Sequence, residues 1–214
     1  MFLNWRVVAA GSMAAAALSP GRAVGGEAAP HVRVLWVDTR LVERFVGEVG
    51  RTEARDVLES LGVQIAWRVG RPATESREDE VRVVPLARHL GDVGRRRILA
   101  ATSRRAGPRT VWVDWPGIVW VSGLENDAVP AAPAAARRRV GLVLGRVLAH
   151  ELIHALLPEL PHADEGLMSD VFRDPGTDAP SLDSRSRAAL LSLGPHPLGE
   201  AASAVEAPTE WRGP

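Results

Sequence analysis

Residues 140–157 read VGLVLGRVLAHELIHALL, and within them only Arg146, His150, Glu151 and His154 can ionise. The spacing predicts a helix that starts near Arg137 and is stopped by Pro158, because a proline ring cannot continue the hydrogen-bonded ladder. Apolar residues fall around its whole circumference, which is the pattern of a buried helix and not of a surface one. Burying a polar group without a partner costs on the order of 1–3 kcal/mol. Two imidazoles and a carboxylate in such a helix therefore call for a strong compensating partner.

The intervals name one. His150 and His154 stand one turn apart and project from the same face, while Glu151 lies about 100° round the axis, beside their point of convergence. This is the H-E-x-x-H arrangement, in which two neutral imidazoles hold Zn²⁺, the metal acidifies a water, and the carboxylate takes the proton. Two histidines satisfied in an ordinary core would give the same pentapeptide, so a third ligand discriminates. Past the helix comes PELPHADEGLMSD (158–170), where Pro158 and Pro161 turn the chain out. The link from His154 to His162 is long enough to return to the ion, so His162 is the expected third ligand, with Glu159, Asp164 and Glu165 as competing carboxylates. His31, His89 and His196 lie near loops or element ends and read as surface residues.

The remaining composition narrows the function classes. A chain of 214 residues with 46% hydrophobic content suits one domain with a substantial core. Basic and acidic residues balance at 26 each, and no basic block is long enough to follow a phosphate backbone, so nucleic acid is not an expected partner. With no cysteine, disulfides, thiolate ligands and a cysteine nucleophile are excluded, and a metal must be held by His, Asp or Glu. At the N-terminus, Arg6 precedes the apolar run VVAAGSMAAAAL and then SPGRAVGG, the pattern of an export signal with small residues for cleavage. That run is too short to span a bilayer, and no later segment reaches transmembrane length. The expected organisation is a signal and linker over 1–29, one domain over 30–194, and a flexible tail over 195–214.

HVRVLWVDT (31–39), VQIAWRV (63–69) and VRVVPL (81–86) read as strands. Between the first two, a helix is expected with Leu41, Phe45, Val49, Val57, Leu58 and Leu61 on its apolar stripe and Gly62 as its stop. GRPATESREDE (70–80) is a loop. The Arg-rich stretch 91–105 fits an exposed helix or an irregular excursion equally well. TVWVDWPGIVWVSG (110–123) reads as two strands joined at Pro116-Gly117, with Trp112, Trp115 and Trp120 covering the core or a sheet edge. Residues 126–136 form a loop, and 181–193 a short amphipathic helix with a serine cap.

Taken with these elements, HELIHALLPELPHADEGLM (150–168) resembles the metzincin clan of zinc endopeptidases, and more closely the small exported bacterial metzincin-like type with a longer spacer before the third His. The chain lacks the clan's usual Gly after the second His and has two extra residues before His162. The resemblance is specific over 150–168 only, while the element order agrees across most of 31–193. It implies an α+β fold with a five-stranded mixed sheet, a zinc-binding active-site helix and a C-terminal helix. The antiparallel edge strand would be 110–115, with 118–122 beside it, and an extended peptide could add to that edge. It further implies His150, His154 and His162 as zinc ligands, Glu151 as general base and Met168 as the residue of the methionine turn. The activity so implied is that of a secreted or periplasmic, monomeric zinc metalloendopeptidase acting on a peptide or protein substrate. A zinc-holding domain that binds peptides without turnover is the alternative. Latency through a prodomain cysteine is not available to a chain without cysteine.

Overall fold

The computed structural model describes residues 29–93, 96–103, 109–169, 181–193, 195 and 198. The expected signal segment, His196 and nearly all of the expected tail lie outside the described residues. In chain order the elements are β1 (His31–Val37), α1 (Arg44–Ser60), β2 (Gln64–Gly70), β3 (Glu80–Leu86), β4 (Asp92–Val93), β5 (Arg96–Arg97), β6 (Ala100–Thr102), β7 (Thr110–Asp114), α2 (Trp115–Val121), a 3-10 turn (Asn126–Ala131), α3 (Ala134–Leu156) and α4 (Ser184–Leu191). Five strands form one mixed sheet in the order β2-β1-β3-β7-β6, in which only β6 runs antiparallel to its neighbour. The architecture is α+β, as expected. β4 and β5 make a separate two-stranded ribbon.

Alternation along the strands gives the sheet two unlike faces. Val32, Val34, Trp36, Val81, Val83, Val111 and Val113 are buried against the helical layer. The opposite face carries Arg33, Arg68, Glu80 and Arg82, and loop 71–79 is tied to it by Arg33–Asp79 and by Arg82 donating to the Pro72 carbonyl. Glu80, only 2% exposed, receives two hydrogen bonds from Arg68 (3.0 and 2.6 Å) and one from the Arg77 amide (2.9 Å).

α1 starts later than its hydrophobic pattern suggests, because the Glu43 carboxylate accepts from the amides of Phe45 and Val46 and so fixes the first turn. Leu41 then precedes the helix, and both it and Phe45 are exposed. The face that is buried runs through Val46, Gly47, Gly50, Ala54, Val57 and Leu58. It packs on α3 through small residues: a Cβ at Gly145 would stand 2.4 Å from the Glu53 Cβ, and one at Gly141 2.6 Å from the Val49 side chain. The stripe's second half, Val57, Leu58 and Leu61, is buried as expected; in the first half a contact surface made by glycine carries little hydrophobic signal, and that is why the pattern points to Leu41 and Phe45 where Val46, Gly47 and Gly50 are buried.

Two further expectations are corrected. Residues 110–123 are not a hairpin: β7 passes directly into α2, whose first turn is capped by the Asp114 carboxylate accepting from Gly117 N at 2.6 Å. Proline is tolerated in a first helical turn, where its missing N–H has no partner to lose, so Asp-Trp-Pro-Gly starts a helix here instead of turning a chain. Nor is 110–115 the edge: β7 lies between β3 and β6, the antiparallel edge strand is Ala100–Thr102, and 118–122 belong to α2 and its cap. Of the tryptophans, Trp115 is buried, Trp112 is 38% exposed and Trp120, 62% exposed, lies under the Arg97 guanidinium.

α3 is buried from Val140 to Leu156 apart from a few part-exposed positions, and it ends just before Pro158. α4 is capped by Asp183 rather than by a serine, with its carboxylate accepting from the amides of Arg185 and Ser186. Packing continues past residue 194, since His31 N donates to the Pro195 carbonyl at 3.0 Å and Leu198 is buried.

Candidate metal centre

The last two turns of α3 and the chain beyond Pro158 bring three imidazoles together. His150, His154 and His162 each offer a ring nitrogen, and the three nitrogens lie within 4.8 Å of one another. His154 Nε2 and His162 Nε2 are 3.2 Å apart. Two ligands on one tetrahedral ion, each at about 2.0–2.1 Å, stand about 3.3 Å apart, so this pair already has the separation that a shared ion requires. The ring centroids are 4.8, 5.3 and 4.8 Å apart. The donor set is therefore close enough to hold a metal ion. Glu159, Asp164 and Glu165 are exposed and stand outside the cluster.

His150 is oriented from behind. Its Nδ1 donates to the Leu167 carbonyl at 2.7 Å, which leaves Nε2 as the lone-pair nitrogen directed at the site. Burial holds the His150 pKa below the ordinary imidazole value, against the opposing pull of that carbonyl, and so favours the neutral form that can ligate. His154 is buried, whereas His162 is exposed, so the cluster has a protein side and a solvent side.

The carbonyl that orients His150 belongs to a compact turn. Ala163 N donates to the Met168 carbonyl, Ser169 N to the Gly166 carbonyl, and Leu167 N to the Ser181 carbonyl. Gly166 has φ +79, and a Cβ there would meet the Ser181 carbonyl oxygen at 2.4 Å. Met168 follows, fully buried in the main core.

Glu151 lies beside the cluster at 8% exposure. Burial pushes its carboxyl above the usual carboxylate range, opposed by the Thr102 hydroxyl and by the nearby His162 ring. Thr102 Oγ1 lies 2.7 Å from Glu151 Oε2 and 3.1 Å from the Glu151 carbonyl oxygen, so one hydroxyl of the edge strand faces both. Nothing in the Arg-rich stretch around Thr102 announces this contact, which arises only because β6 lies against α3. A second contact to the same helix comes from Arg109, which donates to the Ala155 carbonyl. His89, exposed as expected, is nonetheless bonded through Nδ1 to the fully buried Asp114 carboxylate, at 3.1 Å to each oxygen.

β6 presents an open edge next to this centre. Asp114 N donates to the Leu99 carbonyl and Ser103 N to the Thr110 carbonyl, so in the alternating antiparallel pattern the main-chain groups of Ala100 and Thr102 point away from β7. Among the described residues no strand pairs with that outer side.

No known family model matches the sequence, and no curated protein matches it either.

Proposed function

We propose that this chain is a zinc-dependent endopeptidase of metzincin-like architecture, exported from the cytoplasm and acting on extended peptide substrates. The observation that carries the reading is the convergence of His150, His154 and His162 with Glu151 alongside, at the open edge of an antiparallel strand. Three neutral imidazoles are the donor set of a catalytic zinc site, which typically keeps one position for water or substrate. When bound there, zinc supplies Lewis acidity, polarising the scissile carbonyl and acidifying the attacking water. Glu151 accepts the proton of that water and delivers it to the leaving amine, a task helped by a carboxyl whose burial raises its basicity. Ala100 and Thr102 offer main-chain donors and acceptors to an incoming strand, which holds the substrate extended across the site. Met168, buried under its own turn, takes the place of the clan's methionine. Export rests on the apolar run at 7–18. Among the described residues no helix is long and apolar enough to cross a membrane.

The test is metal analysis combined with cleavage of casein and a peptide library, on wild type and on Glu151→Ala. The expected result is one zinc per chain in both proteins, with cleavage reduced roughly 10²–10⁴-fold in the variant. Zinc without cleavage in either protein would leave a peptide-binding domain, and a chain that retains no stoichiometric metal would end the reading altogether.

A further inference from the structure

Glu151 shares its helical turn with two metal ligands, yet the contact made to its carboxylate comes from another element. We propose that Thr102 is the positioning residue of the general base: its hydroxyl fixes the Glu151 carboxylate through Oε2 and so links the base to the strand on which substrate lies. This inference rests on the endopeptidase reading and assigns a role within it.

Three observations carry the proposal. The first is the 2.7 Å contact itself, made to a carboxylate that is 8% exposed, where a donor from protein replaces one from water. A glutamate has three side-chain torsions. With Oε2 engaged by Thr102, the other oxygen is the one left to meet a water, and its swing is restricted. The second is the attachment of Thr102. β6 has only three residues, but its pairing with β7 at Ala100–Val113, Ala101–Trp112 and Thr102–Val111 fixes the height of the hydroxyl above the helix. A threonine on a strand is also stiff at χ1 because two heavy atoms branch at Cβ. The third is division of labour within one residue. The side chain of Thr102 turns inward to α3, while its N–H and C=O face the open edge of the sheet. A peptide adding to that edge therefore bonds to the main chain of the residue that holds the base.

The donor at 3.1 Å from the Glu151 main-chain carbonyl is the same hydroxyl, so the helix and the carboxylate are addressed from one point. Serine would preserve both contacts with a freer torsion; valine would preserve shape and remove both.

The experiment uses Thr102→Val and Thr102→Ser in the full chain, alone and combined with Glu151→Ala. Zinc content, steady-state cleavage of one peptide, and thermal unfolding of the metal-free proteins are measured. Thr102→Val is expected to keep full zinc content and an unchanged KM, because the main-chain edge is intact. Its kcat should fall by roughly 10- to 100-fold, the scale on which small misplacement of a reacting group is felt. Thr102→Ser should recover most of that loss. In the metal-free chain, the drop in Tm caused by Thr102→Val should shrink markedly when Glu151 is already alanine, since partners in one contact are not additive.

A fall in kcat that serine does not rescue, or equal Tm shifts in the two backgrounds, would reduce Thr102 to a residue of strand packing and overturn the proposal. Undiminished kcat in Thr102→Val, with an active wild type, would remove Thr102 while leaving the endopeptidase reading in place. A zinc-loaded wild type that cleaves nothing, with the Tm coupling present, would sink the endopeptidase reading instead and take the positioning role with it.

Discussion

Gly166 sits at φ +79, and a methyl group there would press to 2.4 Å from the Ser181 carbonyl oxygen, the same atom that accepts from Leu167 N. An alanine meets two penalties, the left-handed backbone and the collision with main chain, and the turn has to shift. What shifts with it is the Leu167 carbonyl, which sets the orientation of His150. Disturbing a partner that orients a ligating histidine typically costs 10- to 100-fold in metal affinity. On the proposed zinc reading, Gly166→Ala is expected to bind zinc about 10–100-fold more weakly in competition with a chromophoric chelator, with a lower Tm in both metal-free and metal-loaded states. Unaltered affinity would show that His150 keeps its ring orientation without this turn. At this scale His150, Glu151 and His154 are legible in the sequence because helix geometry alone places them. Thr102 is not legible, because its role depends on a strand of three residues meeting a helix 49 positions away.

Among the elements, the crossing of α1 on α3 is the contact that braces the histidine helix within the helical layer. Gly50, Gly141 and Gly145 let the two backbones approach: a Cβ at Gly145 would lie 2.4 Å from the Glu53 Cβ and 2.7 Å from the Gly50 carbonyl oxygen, neither of which is the free end of a flexible chain. Gly145→Ala is expected to lower stability by about 1–3 kcal/mol, the usual range for overfilling a packed site, against a smaller intrinsic gain in helix propensity. Urea unfolding measures it, and a variant as stable as wild type would mean that the helices part without cost. The same crossing explains why the stripe on α1 holds for Val57, Leu58 and Leu61 but fails for Leu41 and Phe45, since glycines take the buried positions near the start of the helix. In the α2 region the error was one of competing local signals. Pro116-Gly117 suits a turn, but Asp114 one residue before Trp115 supplies a helix cap, and the cap prevails because its carboxylate is buried and bonded to Gly117 N.

For the molecule as a whole, the helical layer covers one face of the sheet, and loop 71–79 is fastened to the other largely by polar contacts. Glu80 is the centre of that fastening, and the Arg68 hydrogen bonds hold its carboxyl below the ordinary value of 4.5 in spite of burial. A carboxyl whose folded pKa is depressed stabilises the fold above its unfolded pKa, and the contribution disappears as pH falls through the lower folded value. Wild type is accordingly expected to exceed Glu80→Gln in urea midpoint at neutral pH. The difference should close as pH drops below about 4.5. A gap that stays constant down to acid pH would place the value of Glu80 in its shape and not in its charge.

What the sequence by itself determined is whatever repeats along a single element: the alternation of β1 and β3, the buried helix from Val140 onward, its stop before Pro158, and two histidines one turn apart. These follow from local periodicity, which is a property of consecutive residues. The tertiary structure alone decided that Ala100–Thr102 is the edge strand, that α1 and α3 meet through glycine, and that Thr102 reaches Glu151. Each of these depends on the distance between segments far apart in the chain, which packing sets and no spacing along the sequence encodes.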